Sequence, residues 1–196
     1  MNKVRVVITG VGTINAVARN AEAFGAALKE GRCGIGPVTV FDPSGFRTHT
    51  GGEVQSFDVF RDLPAHYQGR RMSRSDGMAM AASLEALQAA RLLPVPDRLR
   101  ETTGVAIGGG AGGMPEGEEA YRHYLTGNPA TVPFSVFAGF CCASSADHIV
   151  SALGLGGPKT TFMTACSSGA TALGYARDQI REIGRASCRE RVCHRV

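Results

Sequence analysis

Two short strand-like runs, Gly104–Ile107 (GVAI) and Lys159–Met163 (KTTFM), each break through a stretch of very small residues and then enter a helical pattern. A strand that turns directly into a helix cannot pair with its sequence neighbour by a tight hairpin. It has to be followed by a crossover, which builds a parallel sheet covered by helices. The rest of the chain fits that α/β class. Val4–Thr9 (VRVVIT) reads as another short strand, ended by Gly10-Val11-Gly12. Ala21–Glu30 reads as an amphipathic helix closed by Gly31. Ser73 or Ser75 can cap a long helix running to about Leu92, with Met78, Met80, Leu84, Leu87 and Leu92 as its apolar positions and Pro94-x-Pro96 as its stop. Further helices are expected at Glu116–Leu125, Ser144–Leu153 and Cys166–Glu182, while residues 34–70 read as strands and surface loops without a clear period. Glycine, 26 of 196 residues, is about twice its usual share and fits many tight turns beside strands rather than a plain helix bundle.

Composition excludes several classes of function. Hydrophobic residues at 43% and charged residues at 19% are those of a globular chain rather than a disordered or fibrous one. The absence of a long apolar run argues against a membrane span. Met1–Gly10 has no signal-peptide core, so a cytoplasmic protein is expected. Net charge is +4. Arg185, Arg189, Arg191 and Arg195 against Glu190 put +3 of it in residues 183–196 and leave +1 for the first 182. A body so near neutrality offers no basic face for nucleic acid. Six cysteines in a chain of this length and context do not make a disulfide framework. Adjacent Cys141 and Cys142 suit a single zinc poorly, and Cys188 lies too far from Cys193-His194 for haem attachment, so no metal is expected.

Two motifs could carry chemistry. Gly108-x-Gly110-x-x-Gly113 formally matches a phosphate-cradling turn, which would make the chain a dinucleotide-dependent oxidoreductase. A run this rich in glycine meets the pattern almost by default, and residues 125–146 hold no acidic residue for a ribose until Asp147. Close packing of backbone, or room for a ligand chain, explains the glycines equally. The second motif is Thr160–Gly169 (TTFMTACSSG), which places Cys166 where a strand gives way to a helix. Unpaired amides and the positive dipole end there favour a thiolate, the nucleophile suited to thioester exchange, and the same amides can hold an oxyanion. The competing reading is a small, inert cysteine packed at a strand–helix corner.

The chain resembles the N-terminal half of the elongating, type II β-ketoacyl-acyl-carrier-protein synthases. The likeness is carried by VVITGVGTINAVARN at 6–20, RMSRSDGMAMAAS at 71–83, GVAIGGGAGGM at 104–114, VPF at 132–134 and GLGGPKTTFMTACSSGATALGYA at 154–176, over residues 3–182. The resemblance implies a thiolase-like layered fold, of which this is one half, usually assembled as a homodimer or a ketosynthase heterodimer. It implies that Cys166 accepts an acyl group from acyl carrier protein, and that a malonyl-carrier thioester then condenses with it after decarboxylation. Gly110 and Ala111 would border the acyl pocket, residues 159–163 would lie near the dimer interface, and no metal or organic cofactor would be needed. The family's two catalytic histidines and lysine lie in the C-terminal half. His49, His66, His123, His148 and His194 match none of their motifs. A fragment of this kind is expected to be inactive in condensation. A non-catalytic chain-length-factor-like subunit is the third possibility, opposed by the presence of Cys166. Residues 183–196, where IGRASCRERV replaces the expected small-residue strand, read as a non-native, adapter-derived tail.

Overall fold

The computed structural model describes residues 5–69, 72–127 and 139–183. Its elements follow in the order α1 (Ala21–Lys29), β1 (Ile35–Pro37), β2 (Thr50–Gly52), α2 (Val59–Asp62), α3 (Arg74–Ala89), α4 (Asp97–Arg100), β3 (Val105–Gly108), α5 (Met114–Leu125), α6 (Ser144–Leu153), β4 (Lys159–Phe162) and α7 (Ser168–Ile183). β1 and β2 form a small antiparallel pair, with Ile35 opposite Gly52. β3 and β4 pair in parallel, Val105 opposite Lys159 and Gly108 opposite Phe162. The chain between them supplies α5 and α6, the crossover that a parallel pair requires. Both α6 and α7 pack on this pair, and α3 packs on α6.

Local signals account for the helix ends. Ser73 accepts from the Asp76 amide at 3.1 Å, and the Asp76 carboxylate accepts from the Ser73 amide at 3.0 Å, a capping box. The helix stops at Ala89, short of Leu92, because Arg91 takes φ +58 and the chain turns back. The Arg91 and Leu92 amides then bond to Gln88 and Leu87 carbonyls at 2.9 and 2.8 Å, as in a Schellman ending. The expected apolar stripe of α3 is the core: Met80 is fully buried, Leu84 and Leu87 nearly so, and Met78 and Leu92 pack against them. Val105 and Ile107 of β3 and Ile149 and Leu153 of α6 complete the cluster.

The N-terminal run departs from expectation. The described part of Val4–Thr9 belongs to no strand, and among the described residues β3 and β4 pair only with each other. Val7 and Ile8 are about two-thirds exposed, at 65% and 63%. β propensity is a preference for a pleated, half-buried surface, and a strand needs a neighbour's amides and carbonyls before it can exist. The glycine turn that follows the run lies on α3. A Cβ on Gly10 or Gly12 would sit 2.0 Å from the Ala86 or Ala82 carbonyl oxygen, so backbone crosses helix with no room for a side chain. The Glu85 carboxylate holds the following segment to the same helix, accepting from the Thr13 amide at 2.8 Å and the Ala21 amide at 2.7 Å.

Asp76 is the polar centre of the fold. It is fully buried, and besides the Ser73 amide it accepts from the hydroxyls of Ser144 and Ser145, both at 2.7 Å, with His148 Nε2 3.8 Å away. One carboxylate thus ties the start of α3 to the start of α6. An Asp76→Ala chain removes the acceptor from two buried donors, the Ser73 amide and the Ser144 hydroxyl, and from the half-buried Ser145 hydroxyl, and its midpoint in urea should correspond to a loss of about 3 kcal/mol. At the surface, the Arg61 side chain and then the Asp58 amide hold the Asp62 carboxyl at about 2, below its ordinary 3.8. A depressed carboxylate stabilises the fold above its unfolded pKa and ceases to as pH falls through the folded one. Titration followed by NMR should therefore place the Asp62 midpoint near 2, and Arg61→Ala should raise it.

Candidate active site

β4 ends at Phe162, and two residues later the chain enters a single turn of 3-10 helix, Ala165–Ser167, before α7 begins at Ser168. Cys166, the expected first residue of the helix, therefore occupies the tight turn instead, two residues before the α-helix begins. The turn is sharp because Ala165 sits at φ +50. The left-handed region costs an L-residue roughly 1–2 kcal/mol, so something must hold it there. Ser168 does so: its buried hydroxyl accepts from the Thr164 amide at 2.9 Å and donates to the Ala165 carbonyl at 2.7 Å. Ser167 donates to the Thr164 carbonyl at 2.8 Å, and Thr171 donates to the Ser167 carbonyl at 3.0 Å. The Thr164 and Thr171 hydroxyls are 3.2 Å apart. The hydroxyls around the cysteine, on Thr164, Ser167, Ser168 and Thr171, are thus bonded within the turn, while Cys166 itself is exposed.

The glycine run supplies the other half of the arrangement. A Cβ on Gly108 would lie 2.4 Å from both the Gly169 nitrogen and the Ser168 carbonyl carbon. The last residue of β3 therefore touches the opening of α7, backbone to backbone, and the Gly109 amide bonds to the Phe162 carbonyl at 3.0 Å. Beyond it, Gly110 and Ala111 are exposed, and the Gly110 carbonyl accepts from the Cys142 thiol at 3.6 Å. Of the two uses considered for this run, close packing is the one seen at Gly108. An open cleft of about 340 Å³, lined by Val6, Val7, Ile8, Ala170, Leu173, Gly174 and Arg177, runs along one face of α7. Of the histidines, His49 pairs with the Phe46 carbonyl, His66 stacks on Tyr67, His123 meets Glu119 and His148 faces Asp76, while His194 lies outside the described residues. Strand, small-residue turn and helix thus alternate around the exposed Cys166, in a chain that matches a family model over nearly its whole length. That model, for the β-ketoacyl synthase N-terminal domain, matches residues 3–187.

The chain belongs to the β-ketoacyl synthase family. It is 34% identical over 177 residues to the 3-oxoacyl-[acyl-carrier-protein] synthase 2 of Synechocystis sp., covering 90% of this chain and 42% of that protein. It is 31% identical over 183 residues to the protein of the same name from Coxiella burnetii, covering 92% and 43%. The chain thus spans less than half the length of these relatives. Among solved structures it is similar to the ishigamide ketosynthase/chain length factor, with TM-score 0.80, 29% identity, and 92% of this chain and 45% of that one covered. It is similar also to a β-ketoacyl synthase from Burkholderia phymatum, with TM-score 0.76, 26% identity, and 91% and 44% covered. The fold is therefore the thiolase-like one expected, present as its N-terminal part.

For a ketosynthase chain, the residues that sequence reasoning passed over are the braces. Thr164, Ser167, Ser168 and Thr171 recur at spacings of three and four around the cysteine, a hydroxyl stripe legible in the sequence had it been read as a clamp. No helix among the described residues is long and apolar enough to cross a membrane. A Gly108→Ala chain should lose about 2–3 kcal/mol in urea unfolding, because the added methyl meets only backbone and nothing can rotate aside.

Proposed function

We propose that this chain is the acyl-accepting part of a β-ketoacyl-acyl-carrier-protein synthase, with Cys166 as the residue that is acylated. The observation that carries this is Cys166 exposed on a strained turn that the buried Ser168 hydroxyl holds from both sides of Ala165. The incoming substrate is an acyl thioester on the phosphopantetheine of acyl carrier protein. The Cys166 sulfur, as thiolate, adds to the thioester carbonyl, and the negative charge passes to the carbonyl oxygen. Amides at the opening of α7 are the donors available to that oxyanion. Collapse of the adduct forms the Cys166 thioester and releases the carrier thiol, which takes up the proton. A sulfur-for-sulfur exchange changes bond energy little, so positioning and oxyanion stabilisation suffice and no metal or organic cofactor is called for. Gly110 and Ala111, at the exposed turn that begins beside Gly169, would border the acyl chain.

The second stage, decarboxylation of a malonyl-carrier thioester and attack of the resulting carbanion on acyl-Cys166, is proposed for a complete enzyme of the family, cytoplasmic and working as a homodimer or ketosynthase heterodimer. One solved neighbour, 22% identical with TM-score 0.71, is described as an acyl-carrier protein in complex with its ketosynthase, which makes the carrier a reasonable partner for a chain of the same fold. Incubation of residues 1–196 with an acyl-carrier thioester, followed by peptide mass spectrometry, should place the acyl mass on Cys166, and Cys166→Ala should abolish it. Acyl mass on another cysteine would overturn the assignment. No ketoacyl product is expected from this chain alone when malonyl carrier is added. A product would show that the two histidines of the family are dispensable.

A further inference from the structure

Cys141 and Cys142 take no part in the proposed acyl transfer, yet they meet the glycine turn at several points. Cys141 is exposed and Cys142 half-buried in the turn that precedes α6, where the Ser144 amide bonds back to the Cys141 carbonyl at 2.9 Å. The Cys142 thiol donates to the Gly110 carbonyl at 3.6 Å, and the Gly113 amide donates to the Gly139 carbonyl at 3.1 Å. A Cβ on Gly112 would lie 2.7 Å from the Phe140 carbonyl oxygen and 3.3 Å from the Cys142 nitrogen, and one on Gly109 would lie 3.5 Å from the Cys142 carbonyl oxygen. The two turns are thus in backbone contact along their length, and the Cys142 thiol bonds across them.

We propose that Cys141 and Cys142 are a vicinal dithiol that hydroperoxides convert reversibly to a disulfide, and that the conversion loosens the glycine turn at 109–113. The exposed Cys141 sulfur, as thiolate, attacks the peroxide oxygen. The O–O bond breaks, a sulfenic acid forms, and the displaced alkoxide or hydroxide takes a proton. The Cys142 sulfur then attacks the Cys141 sulfur, the S–S bond forms, the S–O bond breaks and water leaves. Two thiols lose two electrons in all and the peroxide gains them, giving an alcohol and water, or two waters from hydrogen peroxide. Adjacent residues suit such a switch better than a permanent cross-link. Their Cα atoms are about 3.8 Å apart across a trans peptide, below the range a relaxed disulfide spans, so the bond is strained and easily reduced. Oxidation removes the S–H that Gly110 accepts from and twists a peptide that packs against Gly109 and Gly112.

The test treats the full 196-residue chain with hydrogen peroxide under native conditions and maps its peptides without reduction. Loss of about 2 Da from the peptide carrying Cys141 and Cys142, restored by dithiothreitol and absent in Cys141→Ser, is the expected result. Hydrogen exchange in residues 104–113 should rise in the oxidised chain. It should stay unchanged in peroxide-treated Cys142→Ser, whose hydroxyl can still donate to Gly110. Full alkylation of both cysteines after peroxide, a cross-link running instead to Cys33, Cys166, Cys188 or Cys193, or unchanged exchange in the oxidised chain would each overturn the proposal. None of these outcomes depends on Cys166 being the acylated residue, so failure of that assignment reads separately.

Discussion

Contact between the end of β3 and the start of α7 is the constraint on which the candidate site depends. Two backbones meet at Gly108 and Ser168–Gly169 with no space for a Cβ on Gly108. That contact sets how far α7 can withdraw from the sheet, and so where the turn carrying Cys166 must close. The turn closes tightly enough to force Ala165 into a left-handed conformation, and the Ser168 hydroxyl absorbs the consequence by bonding on both sides of it. A cysteine on an unbraced loop would sample many positions. Here one van der Waals contact and a few hydroxyl bonds reduce that freedom before any substrate arrives.

The same economy recurs at a larger scale. Asp76 joins α3 to α6, Glu85 joins α3 to the N-terminal segment, and Gly10 and Gly12 let that segment lie directly on α3. α3 packs on α2 and α6, and α6 in turn packs on β3 and β4. The apolar residues left open at Val7, Ile8 and Met163 lie next to this frame rather than within it. They are consistent with a chain that spans less than half the length of its relatives.

Much of the fold was legible because its signals are short-ranged. The bounds expected for α6, Ser144–Leu153, are those observed, and α5 begins only two residues before its expected start at Glu116. Ser73 was one of two candidate caps, and the reciprocal bond to Asp76 three residues on distinguishes it from Ser75. The start of α7 was read two residues early, because small residues after a strand are compatible with helix from their first position. Only the strain at Ala165 reveals the intervening 3-10 turn. Val4–Thr9 was read as a strand from residue type alone, and residue type says nothing about whether a partner is present. The short helices α2 and α4 were not foreseen, since four residues carry no period.

By itself the sequence determined the longer helices to within a few residues of their ends, which stripe of α3 is apolar, that strands 105–108 and 159–162 feed helices, and that one cysteine stands at such a junction. These depend on groups within a turn or two of each other, and sequence spacing is spatial spacing at that range. Only the tertiary structure decided that Asp76 meets serines 68 and 69 residues away, that Gly108 abuts Gly169, and that Cys142 reaches Gly110. Those pairings are made by closing long loops, and which loops close follows from how whole faces fit together rather than from any local pattern.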